Sequence, residues 1–314
     1  MKPMEGTSIR KTGILFAYFL IYVVWGSTYY FIGVALQGFP PFLLGALRFT
    51  TAGLILLTIC CYRKEHIFKK SLIKKSAISG IVLLFIDMAV VMLAQQYLSS
   101  SLVAIIASST TLWIMTLDVP MWKKNFRNPA TVIGVIAGFL GVMLLYIEQI
   151  RSANQTQPHT EYGVLLLIFG CISWSLGTLY AKYCSSHEED TNNFAGSGWQ
   201  MLSAGTMFWI VTLFITRDIP GMHWQDIPVA SWFSVGYLIL LGSIMAYSAY
   251  VWLLKVRPAT EVATHAYVNP FIAVLIGTTL GKEHVTWIQI TGLMIILCSV
   301  MLINKKKAVE QKKE

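Results

Sequence analysis

HAYVNPFIAVLIGTTLGKE, residues 265–283, decides how this chain folds. Its middle is apolar enough to lie in hydrocarbon, yet Asn269 and Pro270 stand where an uninterrupted helix would be most stable. Proline has no N–H to donate, and its ring presses on the preceding turn. Inside a membrane such a fault needs protein or water around it to satisfy the freed carbonyls. The stretch therefore predicts a spanning helix, broken near mid-depth, that faces protein or a wet cavity.

The composition around it agrees. Of 314 residues, 55% are hydrophobic and only 12% charged, with a mean hydropathy of +0.62. A soluble domain carries about 25% charged residues, so this chain lacks the polar surface to cover a soluble globule. Apolar runs of about 20 residues, the length that crosses hydrocarbon, recur along the whole chain. Ten are read, at 12–36, 41–62, 76–96, 101–122, 129–149, 162–183, 194–216, 231–254, 259–280 and 285–303. The first is too long for a signal-peptide core and has no clear cleavage site, so it counts as a helix.

Charge tests the count. If the N-terminus is cytoplasmic, alternate connections should be rich in Lys and Arg. The N-terminal segment, the second, fourth, sixth and eighth connections and the tail hold all but four of the 24 basic residues. Arg151, Arg217 and Lys282 fall on the other side, and Arg48 lies within a span. A wrong count would scramble this alternation. The expectation is an all-α, multi-pass protein of the plasma membrane with both termini cytoplasmic. Its net charge of +9 then reflects topology and anionic lipid, and no nucleic-acid partner is inferred. The five cysteines lack metal-like spacing and read as apolar filler. No metal or cofactor site is expected.

An odd number of spans per half means that a repeat must be inverted, a common plan among secondary transporters. VVWGSTYYFI in span one resembles CISWSLGTLY in span six, pairing Trp25 with Trp174. LRFTTAG in span two pairs with WQMLSAG in span seven, placing Arg48 opposite Gln200. Residues 97–145 overlay 255–303 without a gap, setting Lys124 on Lys282 and Gly134 on Gly292. Asn269 and Pro270 then face Thr111 and Leu112, so span four should be the smoother of the two. The expected domains are residues 1–149 and 161–304, two five-helix repeats, joined by an extracytoplasmic linker, 150–160, and followed by a basic cytoplasmic tail, 305–314.

Trp25-Gly26-Ser27, Leu47-Arg48-Phe49, Asn269-Pro270 and Gly281-Lys282-Glu283 together resemble the EamA family of the drug/metabolite transporter superfamily, over nearly the whole chain. Two departures stand in the first half: Leu112 where the family often has proline, and Asn125 where its Glu follows Gly-Lys. The resemblance implies ten transmembrane helices in two inverted five-helix repeats around a central cavity. It also implies movement of small metabolites, often outward, by exchange or coupling to an ion gradient.

Charge within the bilayer marks candidate site residues, since one such residue at a helix centre costs about 2.5–3.5 kcal/mol or more. Arg48 lies roughly 10 Å deep and Asp87 roughly 14 Å, at 1.5 Å per residue. Either they form a structural ion pair between spans two and three, or Arg48 faces a substrate carboxylate while Asp87 carries a coupling proton or binds an amine. Asp118 reads as an interfacial residue near Lys123 and Lys124, and Glu261 likewise as interfacial. His265, one turn from Glu261, has either a packing role or a gating and proton role. Asn269 is expected to line the cavity, with Pro270 as a hinge. Trp25, Tyr29, Trp113 and Trp174 lie inside spans and offer flat walls or cation–π contacts; Gln200 joins them as the repeat mate of Arg48. Gly26, Gly33, Gly134, Gly138 and Gly141 read as close helix contacts.

Three function classes compete. A secondary transporter, an exporter of a small polar metabolite such as an amino acid in the family's manner, is the main expectation; a single deep cation suits one carboxylate. An intramembrane enzyme would need a placed nucleophile and base, and Ser197 has no evident partner. A channel or receptor fits poorly with two antiparallel halves and no sensory domain. No GxxxxGK[ST] loop is present, which excludes a self-contained ATP-driven pump.

Overall fold

A computed structural model describes residues 5–65, 67–127, 129–153, 160–184, 193–217, 219–257, 262 and 264–311. The described residues contain helices and connections but no strand. The principal helices among the described residues follow in order. They are α1 (Thr12–Ala35), α2 (Pro41–Tyr62), α3 (Lys70–Ala94), α4 (Ser100–Leu117), α5 (Pro129–Ala153), α6 (Thr160–Cys184), α7 (Phe194–Thr216), α8 (Val229–Leu253), α9 (His265–Thr279) and α10 (Trp287–Gln311). Among the described residues, α1 to α8 are long and apolar enough to cross a membrane. The ninth is 15 residues long, and the apolar part of α10 is Trp287–Leu302. Ten long crossings were expected; eight long helices and two shorter apolar ones are seen. The end of the bundle where α1 begins is called the near end, and the opposite end the far end.

The two halves are related by a two-fold, and single contacts reveal it. A Cβ on Gly53 of α2 would lie 2.7 Å from Leu202 N of α7, and a Cβ on Gly205 of α7 would lie 2.6 Å from Thr50 N of α2. Under the pairing of Arg48 with Gln200, Gly53 maps to Gly205 and Thr50 to Leu202. Each contact is thus the other with the halves exchanged, as a two-fold interface requires. The same holds at α5 and α10. A Cβ on Gly138 would meet Ser299 Oγ at 2.6 Å, and one on Gly141 would meet Ile296 Cγ1 at 3.0 Å. The 97–145 overlay interchanges these two pairs. In both cases one index rises as the other falls, so mated helices run antiparallel and the halves are inverted. The wider packing obeys the rule: α4 lies on α9, while α1–α8 mirrors α6–α3 and α1–α9 mirrors α6–α4. Small residues let these backbones approach closely, the main source of helix association in lipid.

The break expected in α9 is found in α4 instead. The ninth helix runs unbroken through buried Pro270. Proline removes only the bond to the carbonyl of residue 266, early in the helix, and neighbouring turns carry on. The fourth helix is interrupted at Ser108–Ser109 between Ser100–Ala107 and Thr110–Leu117. Hydroxyls compete with the ladder there: Ser108 Oγ donates to Ile105 O at 2.6 Å, and Thr110 Oγ1 to Ala107 O at 2.7 Å. Such back-bonding bends helices. The α6 helix attends the break, with Cys171 Sγ 3.8 Å from Ile106 O and Ser175 Oγ 3.3 Å from Thr110 O. Cys171 is therefore more than filler.

Among the described residues, four helices widen into π-type turns, at Leu20–Val24 in α1, Ile81–Ile86 in α3, Val211–Thr216 in α7 and Leu238–Ala246 in α8. Those in α3 and α8 coincide under the 158-residue offset of the overlay. Such turns often mark functional sites. Three of the four end directly before a polar or aromatic residue that matters below: Trp25, Asp87 and Tyr247.

Candidate functional site

Arg48 reaches from α2 into the other half. It is 6% exposed, its Nε donates to Ser243 Oγ in the wide turn of α8 at 2.9 Å, and its guanidinium carbon lies 4.8 Å from the Phe49 ring centroid. Nη1 is buried without a partner. Gly242 lets α1 pack closely here: a Cβ there would crowd Thr28 Cγ2 at 3.0 Å and would touch Arg48 Nη2 at an ordinary 3.6 Å. The carbonyl of Gly242 accepts from Trp25 Nε1 at 3.1 Å. One short stretch of α8 therefore holds Arg48 on one side and the indole of α1 on the other.

Trp25 begins an aromatic cluster. Its ring lies 5.1 Å from Tyr250, 5.3 Å from His265 and 6.4 Å from Tyr247. His265 Nδ1 shares a hydrogen bond with Val262 O at 2.8 Å, and its ring lies 5.6 Å from Tyr250. A polar relay extends the cluster: Tyr247 Oη donates to Gln200 Oε1 at 2.6 Å, and Gln200 Nε2 donates to Ser79 Oγ at 2.9 Å. Arg48 of α2 thus reaches α8, and its repeat mate Gln200 of α7 reaches α3, as the two-fold demands.

Asp87 is buried, at the end of the wide turn in α3. It forms no ion pair with Arg48, and each keeps its own surroundings. A Cβ on Gly170 of α6 would lie 3.3 Å from Asp87 Oδ1, and Tyr29 and Cys171 lie within electrostatic reach. The structural ion pair considered from the sequence is absent. Tyr29 itself offers its carbonyl to Gln95 Nε2 at 3.0 Å.

The other expected residues divide. Asn269 is buried where α1 crosses α9, and a Cβ on Gly26 would lie 3.1 Å from its carbonyl oxygen. Trp174 is partly buried against the main core. Trp113 points elsewhere, to Phe139 of α5 with ring centroids 4.8 Å apart; it does not join the Trp25 cluster. Asp118 stands at the end of α4, buried against α6, where it accepts from Tyr183 Oη. Glu261 lies outside the described residues. Tyr247, Tyr250, Gly242, Ser243 and Ser79 escaped sequence reasoning, because serines, tyrosines and glycines are too common in membrane helices to stand out.

A cleft of about 630 Å³ opens at the far end, between Phe39, Phe42, Leu93, Gln96, His223 and Asp226 among others. Arg48 lies six residues beyond Phe42 along α2, and Asp87 six residues from Leu93 along α3, each roughly 9 Å deeper. The cleft thus lies above both ionisable residues.

Comparison with known proteins bears on what such an arrangement serves. The family model described as the EamA-like transporter family matches twice, at residues 11–147 and 161–305. An uncharacterized inner membrane transporter of Escherichia coli K12, YedA, is 31% identical over 294 residues, covering 93% of this chain and 90% of that protein. The uncharacterized transporter YvbV of Bacillus subtilis is 24% identical over 315 residues, covering 99% and 96%. A solved crystal structure shares the fold with a TM-score of 0.64 at 16% identity, over 93% of this chain and 96% of the other. This multi-pass membrane protein belongs to the EamA-like transporter family.

Proposed function

We propose that the chain is a secondary active transporter that moves a small zwitterionic metabolite, of the amino-acid kind, by alternating access. Ten helices cross the plasma membrane, both termini are cytoplasmic, and the five-helix repeats 1–149 and 161–304 rock about the residues gathered around Arg48. Net movement is outward, driven by a proton or a counter-substrate.

The observation that carries this reading is the state of the two deep charges. Arg48 is buried with Nη1 unpartnered, and Asp87 is buried without an ion pair among the described residues. A buried, unpaired charge costs several kcal/mol, and a protein keeps such a group where a ligand completes it. Arg48 supplies the donors for one carboxylate. Asp87, on the neighbouring helix, accepts the ammonium group or carries the coupling proton. Trp25, Tyr29, Trp174, Gln200, His265 and Asn269 form the walls, and Pro270 serves as a hinge. Conversion of a substrate by an intramembrane enzyme finds no comparable support.

Counterflow of labelled amino acids in proteoliposomes tests the reading. The wild type should accumulate label against preloaded unlabelled substrate, Arg48→Gln should lose this by about a hundredfold, and Asp87→Asn should abolish it in folded protein. A simple leak would indicate a channel, and a chemically altered substrate an enzyme.

A further inference from the structure

Glu283, in the connection between α9 and α10, crosses to the other half of the molecule. Its Oε1 accepts from Ser100 N at 3.0 Å and Ser100 Oγ at 2.5 Å; its Oε2 accepts from Ser101 N at 3.0 Å and Ser101 Oγ at 2.5 Å. Four donors thus close on one carboxylate at the N-terminus of α4, where free N–H groups and the helix dipole favour an anion. Ser99 Oγ takes a further first-turn amide, that of Leu102, at 3.3 Å.

The connection is shaped for this contact. Glu283 N returns to Gly277 O at 2.9 Å. A Cβ on Gly277 would strike Ser101 Oγ at 2.3 Å and Glu283 Oε2 at 2.5 Å, so a larger residue there would push these bonded groups aside. Lys282 holds φ at 51°, a left-handed conformation unfavourable for an L-residue with a side chain. A Cβ on Gly281 would lie 3.1 Å from the Tyr30 ring of α1, which seats the turn.

The internal repeat shows what this device lacks at the other end. Under the 158-residue overlay, Glu283 maps to Asn125, Gly277 to Val119, and Ser100 and Ser101 to Pro258 and Ala259. Asparagine brings no charge, proline has no N–H, and alanine has no hydroxyl. The equivalent clamp cannot form at the near end. The fold is two-fold symmetric, but among the described residues this bond set is found at the far end alone.

We infer that Glu283 is a far-end latch: it holds α4 of the first half to the α9–α10 connection of the second, and its release opens the α4–α9 seam in each transport cycle. The inference rests on the alternating-access reading, and the experiment below uses no substrate, so the two can fail separately. Ala104 lies one turn below the latch on α4 and is 1% exposed. In full-length protein with its native cysteines replaced, Ala104→Cys is reacted with a membrane-impermeant maleimide added to either face. With Glu283 intact, labelling should be slow from both faces. Glu283→Gln should speed labelling from the far-end face at least about tenfold, and not from the other. Ser100→Ala combined with Ser101→Ala keeps the backbone amides and should act in the same direction more weakly, which covers any failure of Glu283→Gln to fold. Unchanged labelling in either folded variant would reduce Glu283 to a static helix cap and overturn the proposal.

Discussion

Arg48 and Ser243 join the two halves of the molecule through one hydrogen bond of 2.9 Å, donated by Nε, while Nη1 of the same guanidinium stays buried and unpartnered. The pairing is thus incomplete by one donor edge. Removing the charge should cost little: about 1 kcal/mol for the lost bond, against relief of an uncompensated buried ion. Arg48→Met is expected to keep or raise the melting temperature in detergent while ending exchange of carboxylate-bearing substrates. A marked fall in melting temperature would mean that the guanidinium serves the fold instead.

Tyr247 of α8 and Gln200 of α7 share a hydrogen bond of 2.6 Å within the second half. Tyr247→Phe leaves Gln200 Oε1 without its donor in a partly buried place, a loss of about 1 kcal/mol. Gln200→Met alone should cost a similar amount. Because the residues share one contact, the double variant should lose clearly less than the two single losses added together. Chemical or thermal unfolding of the four proteins checks this; full additivity would show that the bond contributes nothing.

Gly80 and Gly236 should respond in opposite ways to alanine. A Cβ on Gly80 would lie 2.3 Å from Gln200 O and 2.7 Å from its Cα, so α3 and α7 would have to separate. Gly80→Ala should destabilise by about 1–3 kcal/mol. Gly236 has nothing within 4 Å of its would-be Cβ, and Gly236→Ala should stabilise by roughly 0.5–1 kcal/mol through helix propensity. Parallel melting curves measure both.

Pro270 lies inside an unbroken helix, so its role must be tested by motion rather than by shape. Pro270→Ala restores an N–H for the carbonyl of residue 266 and should raise stability by up to about 3 kcal/mol. If the proline is a hinge, exchange slows several-fold at unchanged substrate affinity. An exchange rate equal to that of the wild type would remove Pro270 from the transport cycle.

How much of this was legible beforehand differs from residue to residue. Arg48 and Asp87 stood out because a charge among apolar neighbours is rare, and their similar depths followed from counting along two spans. Whether they touched did not follow, because that depends on how α2 and α3 are rotated, and one-dimensional spacing holds no rotation. Ser243 and Gly242 were invisible for a related reason. Their role arises only where a wide turn in α8 meets α1 and α2, and nothing in LILLGSIMA announces such a turn. The misplaced break has a local cause. Pro270 is the louder signal, but it removes one bond, whereas the Ser-Ser-Thr-Thr run at 108–111 supplies several hydroxyls that compete with the ladder.

Composition, the length of the apolar runs and the faint internal repeat determined by themselves that this is a helical membrane protein built from two inverted halves. Those properties depend on solvent and period, which are written along the chain. Which side chains meet between the halves was decided only by the tertiary structure. The Glu283 clamp joins residues more than 180 positions apart, and its one-sidedness depends on glycine, serine and carboxylate arriving together at one end. Close packing decides such encounters, because a Cβ displaced by an ångström turns a contact into a clash.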